Sequence, residues 1–145
     1  MLIPRQAISF HMDDVFVGSL MSSPVHTVGV DTSLREAGGL MLEHGIGSVI
    51  VVDDTNRLDG ILTATDFVRT IAEGEGKPDT TVAAAMSTEI TTTTANESIR
   101  TTADLMIEHG FHHLPVIDET DGVIGVITTT DLTAYLSHRQ DPSPS

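Results

Sequence analysis

One unit occurs twice in this chain: residues 17–71 and 82–136 align without a gap at an offset of 65 positions. Of the 55 aligned pairs, 18 are identical, and 13 of the others exchange one apolar residue for another. Met41-Leu42-Glu43-His44-Gly45 returns as Met106-Ile107-Glu108-His109-Gly110. Gly60-Ile61-Leu62-Thr63-Ala64-Thr65-Asp66 returns as Gly125-Val126-Ile127-Thr128-Thr129-Thr130-Asp131. A unit this small cannot bury its apolar faces alone. The copies are therefore expected to pack on each other as one module, and the two pseudo-equivalent clefts at their interface are where function is expected.

Charge narrows the partners. Asp and Glu number 21 against seven basic residues, for a net charge of −14, and Lys77 is the only lysine. Such a surface repels nucleic acid and anionic membranes, so neither is expected as a partner. The acidic, lysine-poor, threonine-rich composition resembles that of proteins from extreme halophiles, whose salt screens the self-repulsion. No apolar run approaches the ~18 residues of a membrane span, and Met1–Phe10 lacks the apolar stretch of a secretory signal. A soluble, cytoplasmic protein is the expectation. The absence of cysteine removes disulfides, thiol catalysis and cysteine metal sites.

Each copy reads as strand, helix, strand, strand, helix. In the first, Val25–Val28 is a short strand, and Ser33-Leu34-Arg35-Glu36 fits a capping box. Leu34, Ala37 and Met41, with Leu40 beside them, form one apolar helical face that Gly45 ends. Ser48–Val52 is a β-branched strand, Asp53–Asn56 a turn, Gly60–Thr63 a strand, and Asp66 opens a helix through Ile71. The second copy repeats this as Ile90–Thr93, Ser98–His109, Leu114–Ile117, Val123–Thr128 and Asp131–Leu136. The organisation is a flexible segment 1–14, motif 1 at 15–73, a linker at 74–81 carrying Gly74-Glu75-Gly76-Lys77-Pro78, motif 2 at 82–138, and a disordered tail 139–145. Met1 and Met12 are alternative starts.

Leu114-Pro115-Val116-Ile117-Asp118 followed by Gly125-x-x-Thr128-x-x-Asp131 resembles the signature of the cystathionine-β-synthase (CBS) domain, and Gly60-x-x-Thr63-x-x-Asp66 repeats it. The whole of 17–136 thus resembles a stand-alone tandem CBS pair, or Bateman module. The resemblance implies an α/β fold of two pseudo-symmetric β-α-β-β-α motifs packed sheet to sheet. It also implies a regulatory sensor, not an enzyme, that binds AMP, ADP, ATP or an S-adenosylmethionine-type ligand between the motifs. Signalling would proceed through a shift in motif packing or oligomer surface, and a homodimer through the helical faces is the expected assembly. No cofactor is required, although a bound triphosphate would call for Mg²⁺.

By resemblance, Asp66 and Asp131 accept hydrogen bonds from the ribose hydroxyls, a role suited to a charged acceptor. Thr63 and Thr128 contact ribose or phosphate, Thr27 and Thr92 the adenine. The approach to the central strand is Gly47-Ser48 in one copy and His112-His113 in the other, so that only the second offers charge to a phosphate. The two sites are expected to be unequal. Neither motif is expected to have a basic residue beside it, which favours AMP, an adenosine without phosphate, or a sulfonium over a triphosphate. For Asp66 and Asp131 the competing role is helix capping; for Thr27 and Thr92 it is strand propensity.

Two further readings compete. His109-x-x-His112-His113 gathers three imidazoles, but His109 repeats His44 at a helix end, where it complements the dipole, so no metal site is expected. A ligand-free oligomerisation module that binds a protein partner is the alternative, with Ile99, Ala103 and Met106 as its candidate apolar face.

Overall fold

The computed structural model describes residues 15–23 and 25–140. In chain order its elements are α1 (Val17–Leu20), β1 (Thr27–Val28), α2 (Leu34–His44), β2 (Ser48–Val52), β3 (Leu58–Thr63), α3 (Ala64–Ala72), α4 (Val82–Ala85), α5 (Ile99–His109), β4 (His113–Asp118), β5 (Gly122–Thr128) and α6 (Thr129–Gln140). The fold is mixed α/β with two sheets, one ordered β1-β2-β3 and the other β4-β5. The described residues form two compact units, one of 25–90 with 119–123, the other of 15–23, 91–118 and 124–140. Of the loose ends expected at 1–14 and 139–145, residues 139 and 140 instead belong to α6, and the rest lie outside the described residues.

In the first of these units, β1 runs parallel to β2 and β2 antiparallel to β3, with Ser48 opposite Thr63. The expected helix start is present: the Ser33 hydroxyl accepts from the Glu36 N–H at 3.1 Å. Leu34, Ala37 and Met41 are buried against Val49, Val51 and Leu62. The same core takes in Val82 and Ala85 of α4, although these residues open the second repeat in sequence. The other unit mirrors this, since Val17 of α1 is buried with Met106, Leu114, Val116 and Ile127. Each copy's first helical turn therefore seals the other copy's core, and neither single turn had been expected.

The signature glycines serve that exchange. A Cβ at Gly60 would stand 2.7 Å from the Met86 sulfur and 2.9 Å from the Ser87 carbonyl oxygen. At Gly125 the same distances are 2.7 Å to the Met21 sulfur and 3.0 Å to the Ser22 carbonyl. Backbone bonds knit the crossing: Ile61 and Ser87 exchange N–H···O bonds of 3.0 and 2.9 Å. Ser22 and Val126 do so at 2.9 and 3.3 Å.

One expected strand is missing. Ile90–Thr93 reduces to a single parallel bridge between Thr93 and Val116. In the first copy the Ile50 N–H donates to the His26 carbonyl at 3.3 Å. The residue at the equivalent place is Pro115, which has no N–H to offer Thr91. The ladder therefore stops at Thr93.

The β2–β3 turn is built around two side chains. Asp53 accepts from the Thr55 N–H at 2.8 Å and the Arg57 N–H at 2.9 Å. These bonds, led by the one from Arg57, hold its carboxyl below the usual carboxylate range. Asn56 adopts φ 65° and donates its Nδ2 to the carbonyls of Asp121 and Val123, both at 2.8 Å. Its own carbonyl accepts the Val123 N–H at 3.0 Å. Gly122, at φ 78°, lies so close that a Cβ would overlap the Asn56 carbonyl. Gly122→Ala is expected to cost about 2 kcal/mol or more from strain and overlap. Asn56→Ala is expected to cost about 1–2 kcal/mol for two lost bonds. Urea unfolding with an unchanged m-value checks both.

Candidate functional site

The two strand-to-helix turns carry the candidate carboxylates, and they differ. At the first, Thr63 caps α3 and Asp66 is the third helical residue, in a reciprocal capping box. The expected cap is thus the threonine, not the aspartate. Asp66 Oδ2 accepts from the Thr63 N–H at 2.8 Å and from the Thr63 hydroxyl at 3.1 Å. Its Oδ1 accepts from Arg69 Nη1 at 2.8 Å and from the Ser87 hydroxyl at 3.1 Å. The residue is 2% exposed. Every oxygen lone pair facing protein is occupied, and an incoming ribose must displace Arg69 or Ser87.

Arg69 overturns the expectation that no basic residue stands beside either motif. Its i,i+3 spacing from Asp66 is the sequence signal that reveals the pair. Ser87, which repeats Ser22, reaches the site only through the exchanged segment, and local spacing could not find it.

At the second turn the Thr128 N–H donates to Asp131 Oδ2 at 2.8 Å, and the Asp131 N–H donates to the Thr128 hydroxyl at 3.1 Å. Ala134 stands where the first copy has Arg69. Asp131 is half-buried, and among the described residues its Oδ1 accepts no hydrogen bond. The Thr129 N–H donates to the His112 carbonyl at 3.0 Å, as the Ala64 N–H does to Gly47 at 3.1 Å. The structure therefore groups Gly47, Ser48, Thr63 and Asp66 at one turn, and His112, His113, Thr128 and Asp131 at the other.

His113 is shaped by this setting. Burial pushes its pKa below the ordinary 6.5, the charge of the adjacent His112 pushes the same way, and Asp131 opposes both. A neutral imidazole is a weaker phosphate partner than the sequence suggested.

The remaining expected residues lie apart from these turns. Thr27 pairs with Ile50 through β1 and borders a groove of about 660 Å³ shared with Glu36 and Glu43. None of Gly47, Ser48, Thr63 and Asp66 lines it. Thr92 precedes the Thr93 bridge, outside any strand. His109 stacks on Phe111 at 5.9 Å. No group of three or more metal-binding side chains exists among the described residues.

With the geometry in place, comparison with known proteins is direct. The CBS domain family matches residues 17–73 and 80–138. The chain therefore belongs to the CBS domain family and carries a tandem pair of these domains. It is 33% identical over 117 residues to the CBS domain-containing protein YhcV of Bacillus subtilis, covering 80% of this chain and 81% of that one. The CBS domain pair of protein MJ0100, solved with 5′-methylthioadenosine and S-adenosyl-L-methionine, has the same fold. Its TM-score is 0.81 at 24% identity, over 87% of this chain and 98% of that one. CBSX2, solved with AMP, matches with a TM-score of 0.76 at 24% identity, over 87% and 99%. No helix among the described residues is long and apolar enough to cross a membrane.

The lowered pKa of His113 makes a signed prediction. Between its folded pKa and 6.5 the unfolded chain binds the extra proton, so stability rises with pH there. The contribution is complete above pH 6.5, falls as the pH drops below that value, and levels off beneath the folded pKa. Melting temperatures at pH 7.5 and 5.5 are expected to differ more for the wild type than for His113→Asn.

Proposed function

We propose that this chain is a regulatory module that binds an adenosine-containing ligand, with Asp131 as the carboxylate that accepts the ribose hydroxyls. The observation that carries the reading is the unfilled Asp131 Oδ1 beside the Thr128 turn, against an Asp66 whose oxygens are already taken. The ligands of the two structural relatives share an adenosine and differ in everything attached to it. Two of those three ligands, methylthioadenosine and S-adenosylmethionine, lack a phosphate. Around Asp131 the charge favours such guests: the carboxylate repels phosphate and a largely neutral His113 does little to offset it. ATP would bind only with Mg²⁺ to neutralise it.

Within this reading Thr128 and His112 line the ligand and Thr92 meets its adenine, whereas Thr27, Gly47 and Ser48 belong to the weaker first copy. Catalysis is not part of the proposal. Binding can regulate only if the ligand favours one arrangement of the module over another. The acidic composition further suggests a salt-rich working environment.

Thermal melts in high KCl with AMP, ADP, ATP plus Mg²⁺, methylthioadenosine and S-adenosylmethionine test the ligand. At 100 times its Kd, a ligand adds about 2.7 kcal/mol of stability. Asp131→Ser is expected to melt near the wild type without ligand and to lose the ligand shift. Asp66→Ser is expected to melt lower by an amount equivalent to about 2 kcal/mol, because it empties a buried hydrogen-bond network. No shift with any ligand at millimolar concentration would leave the partner-binding alternative.

Assembly as a homodimer is the second element of the proposal. Ile99 and Met106, expected to form the oligomer face, are instead core residues at 1% and 3% exposure. Among the described residues the two most exposed large apolar side chains are Leu42 (86%) and Ile107 (81%). They lie 65 residues apart, in equivalent places of the two copies. A groove of about 380 Å³ runs beside Leu42 between Gly38 and Phe67. Light scattering should give twice the chain mass for the wild type, and the single chain mass for Leu42→Asp combined with Ile107→Asp.

A further inference from the structure

Cations are scarce here, and most of the described ones are committed. Arg69 is paired to Asp66, Arg57 donates to the Glu119 carbonyl at 3.0 Å, and Arg100 has its own interaction. The guanidinium of Arg35 and the ammonium of Lys77 are the exception. Among the described residues, neither has a carboxylate within ion-pair distance. Both stand at one pocket of about 290 Å³, whose other lining residues include Leu34, Phe67, Ile71 and Pro78. No acidic residue lines it.

The pocket is built, not incidental. The 76–80 loop is held on the start of α2 by the Leu34 N–H donating to Thr80 at 2.8 Å and the Arg35 N–H donating to Pro78 at 3.2 Å. The loop closes on itself, with the Lys77 N–H donating to the Thr80 hydroxyl at 3.1 Å and the Thr80 N–H returning to the Lys77 carbonyl at 3.0 Å. Gly76 sits against α3, where a Cβ would be 3.0 Å from the Thr70 methyl. The feature is specific to one copy: Arg35 repeats as Arg100, but Lys77 lies in the linker, outside the repeat.

We propose that this pocket binds a small organic carboxylate, its apolar body on Leu34, Phe67 and Ile71 and its charged end between Arg35 and Lys77. The chemistry is complementary at both ends. Arginine presents a planar fork to a carboxylate, and lysine adds a mobile point charge. The volume lies at the small end for ligand sites, which fits a body of several carbons and excludes a nucleotide-sized guest. In a chain of net charge −14, two unpaired cations over an apolar floor attract the anionic head that the rest of the surface repels. This inference does not depend on the adenosine reading, since none of its residues lies at the Asp131 turn.

The test is amide-resolved NMR titration of the full chain with octanoate, with octanamide as the uncharged counterpart, at low and high KCl. Octanoate is expected to shift amides of residues 34–35 and 67–80 with a saturable curve, and octanamide to bind about tenfold or more weakly. Arg35→Gln and Lys77→Gln should each weaken octanoate several-fold, and the double variant should abolish saturation. The response to methylthioadenosine should stay intact in these variants. Equal binding of octanoate and octanamide, an undiminished response in the double variant, or no shift at 10 mM (about the concentration that detects a Kd of millimolar order) would each overturn the proposal. So would shifts at these amides that follow protein concentration alone, because a second copy would then occupy the pocket.

Discussion

A Met-Ser segment laid across a glycine holds each unit together. Met86-Ser87 crosses Gly60, and Met21-Ser22 crosses Gly125, so close that no side chain could stand at either glycine. The crossing brings Val82 and Val17 into cores assembled mainly from the other copy. The repeats are therefore interdependent through the chain itself, which answers the problem that a unit of this size cannot bury enough surface alone. It also gives the motif glycine a purely steric reason, independent of any ligand.

The same crossing shapes the chemistry. Ser87, delivered by the exchanged segment, fills one position on Asp66, and Arg69 fills another. The carboxylate that begins the motif's helix becomes an internal tie between three pieces of chain. At the second turn Ala134 replaces the arginine and one oxygen of Asp131 stays open. Duplicated residues thus sit in different settings: Asp66 is tied to Thr63, Arg69 and Ser87, whereas Asp131, among the described residues, is tied only to its own turn.

Charge runs through the rest of the molecule in a consistent way. The acidic excess is distributed over exposed turns and helix ends, with Asp53 spending its charge on three local hydrogen bonds. The few cations are used where geometry concentrates them: at Asp66, at the 119–123 turn, and over the apolar pocket beside the linker. In the apolar positions the repeat shows a parallel economy. Leu34, Ala37 and Met41 face inward, while Leu42 and Ile107 project outward at the same place in both copies.

Much of this was legible in the sequence. The 65-residue repeat, the Ser33 cap, the Gly45 stop at φ 63° and the β-branched Ser48–Val52 strand are all local or periodic signals, and each appears where the residues placed it. The inequality of the two turns was also foreseeable, although the sequence pointed to His112 and His113, and the decisive difference is Arg69 against Ala134. Tertiary structure decided what depends on distant pieces of chain. Ser87 on Asp66, the first helical turns traded between copies, and the clamp of Asn56 on Gly122 join residues from 21 to more than 100 positions apart. So did the loss of the Ile90–Thr93 strand, which depends on the missing N–H of Pro115, more than twenty residues away. Periodicity reports which face of an element is apolar; it carries no information about which remote segment will cover that face, because that is settled only when the whole chain competes for the same buried space.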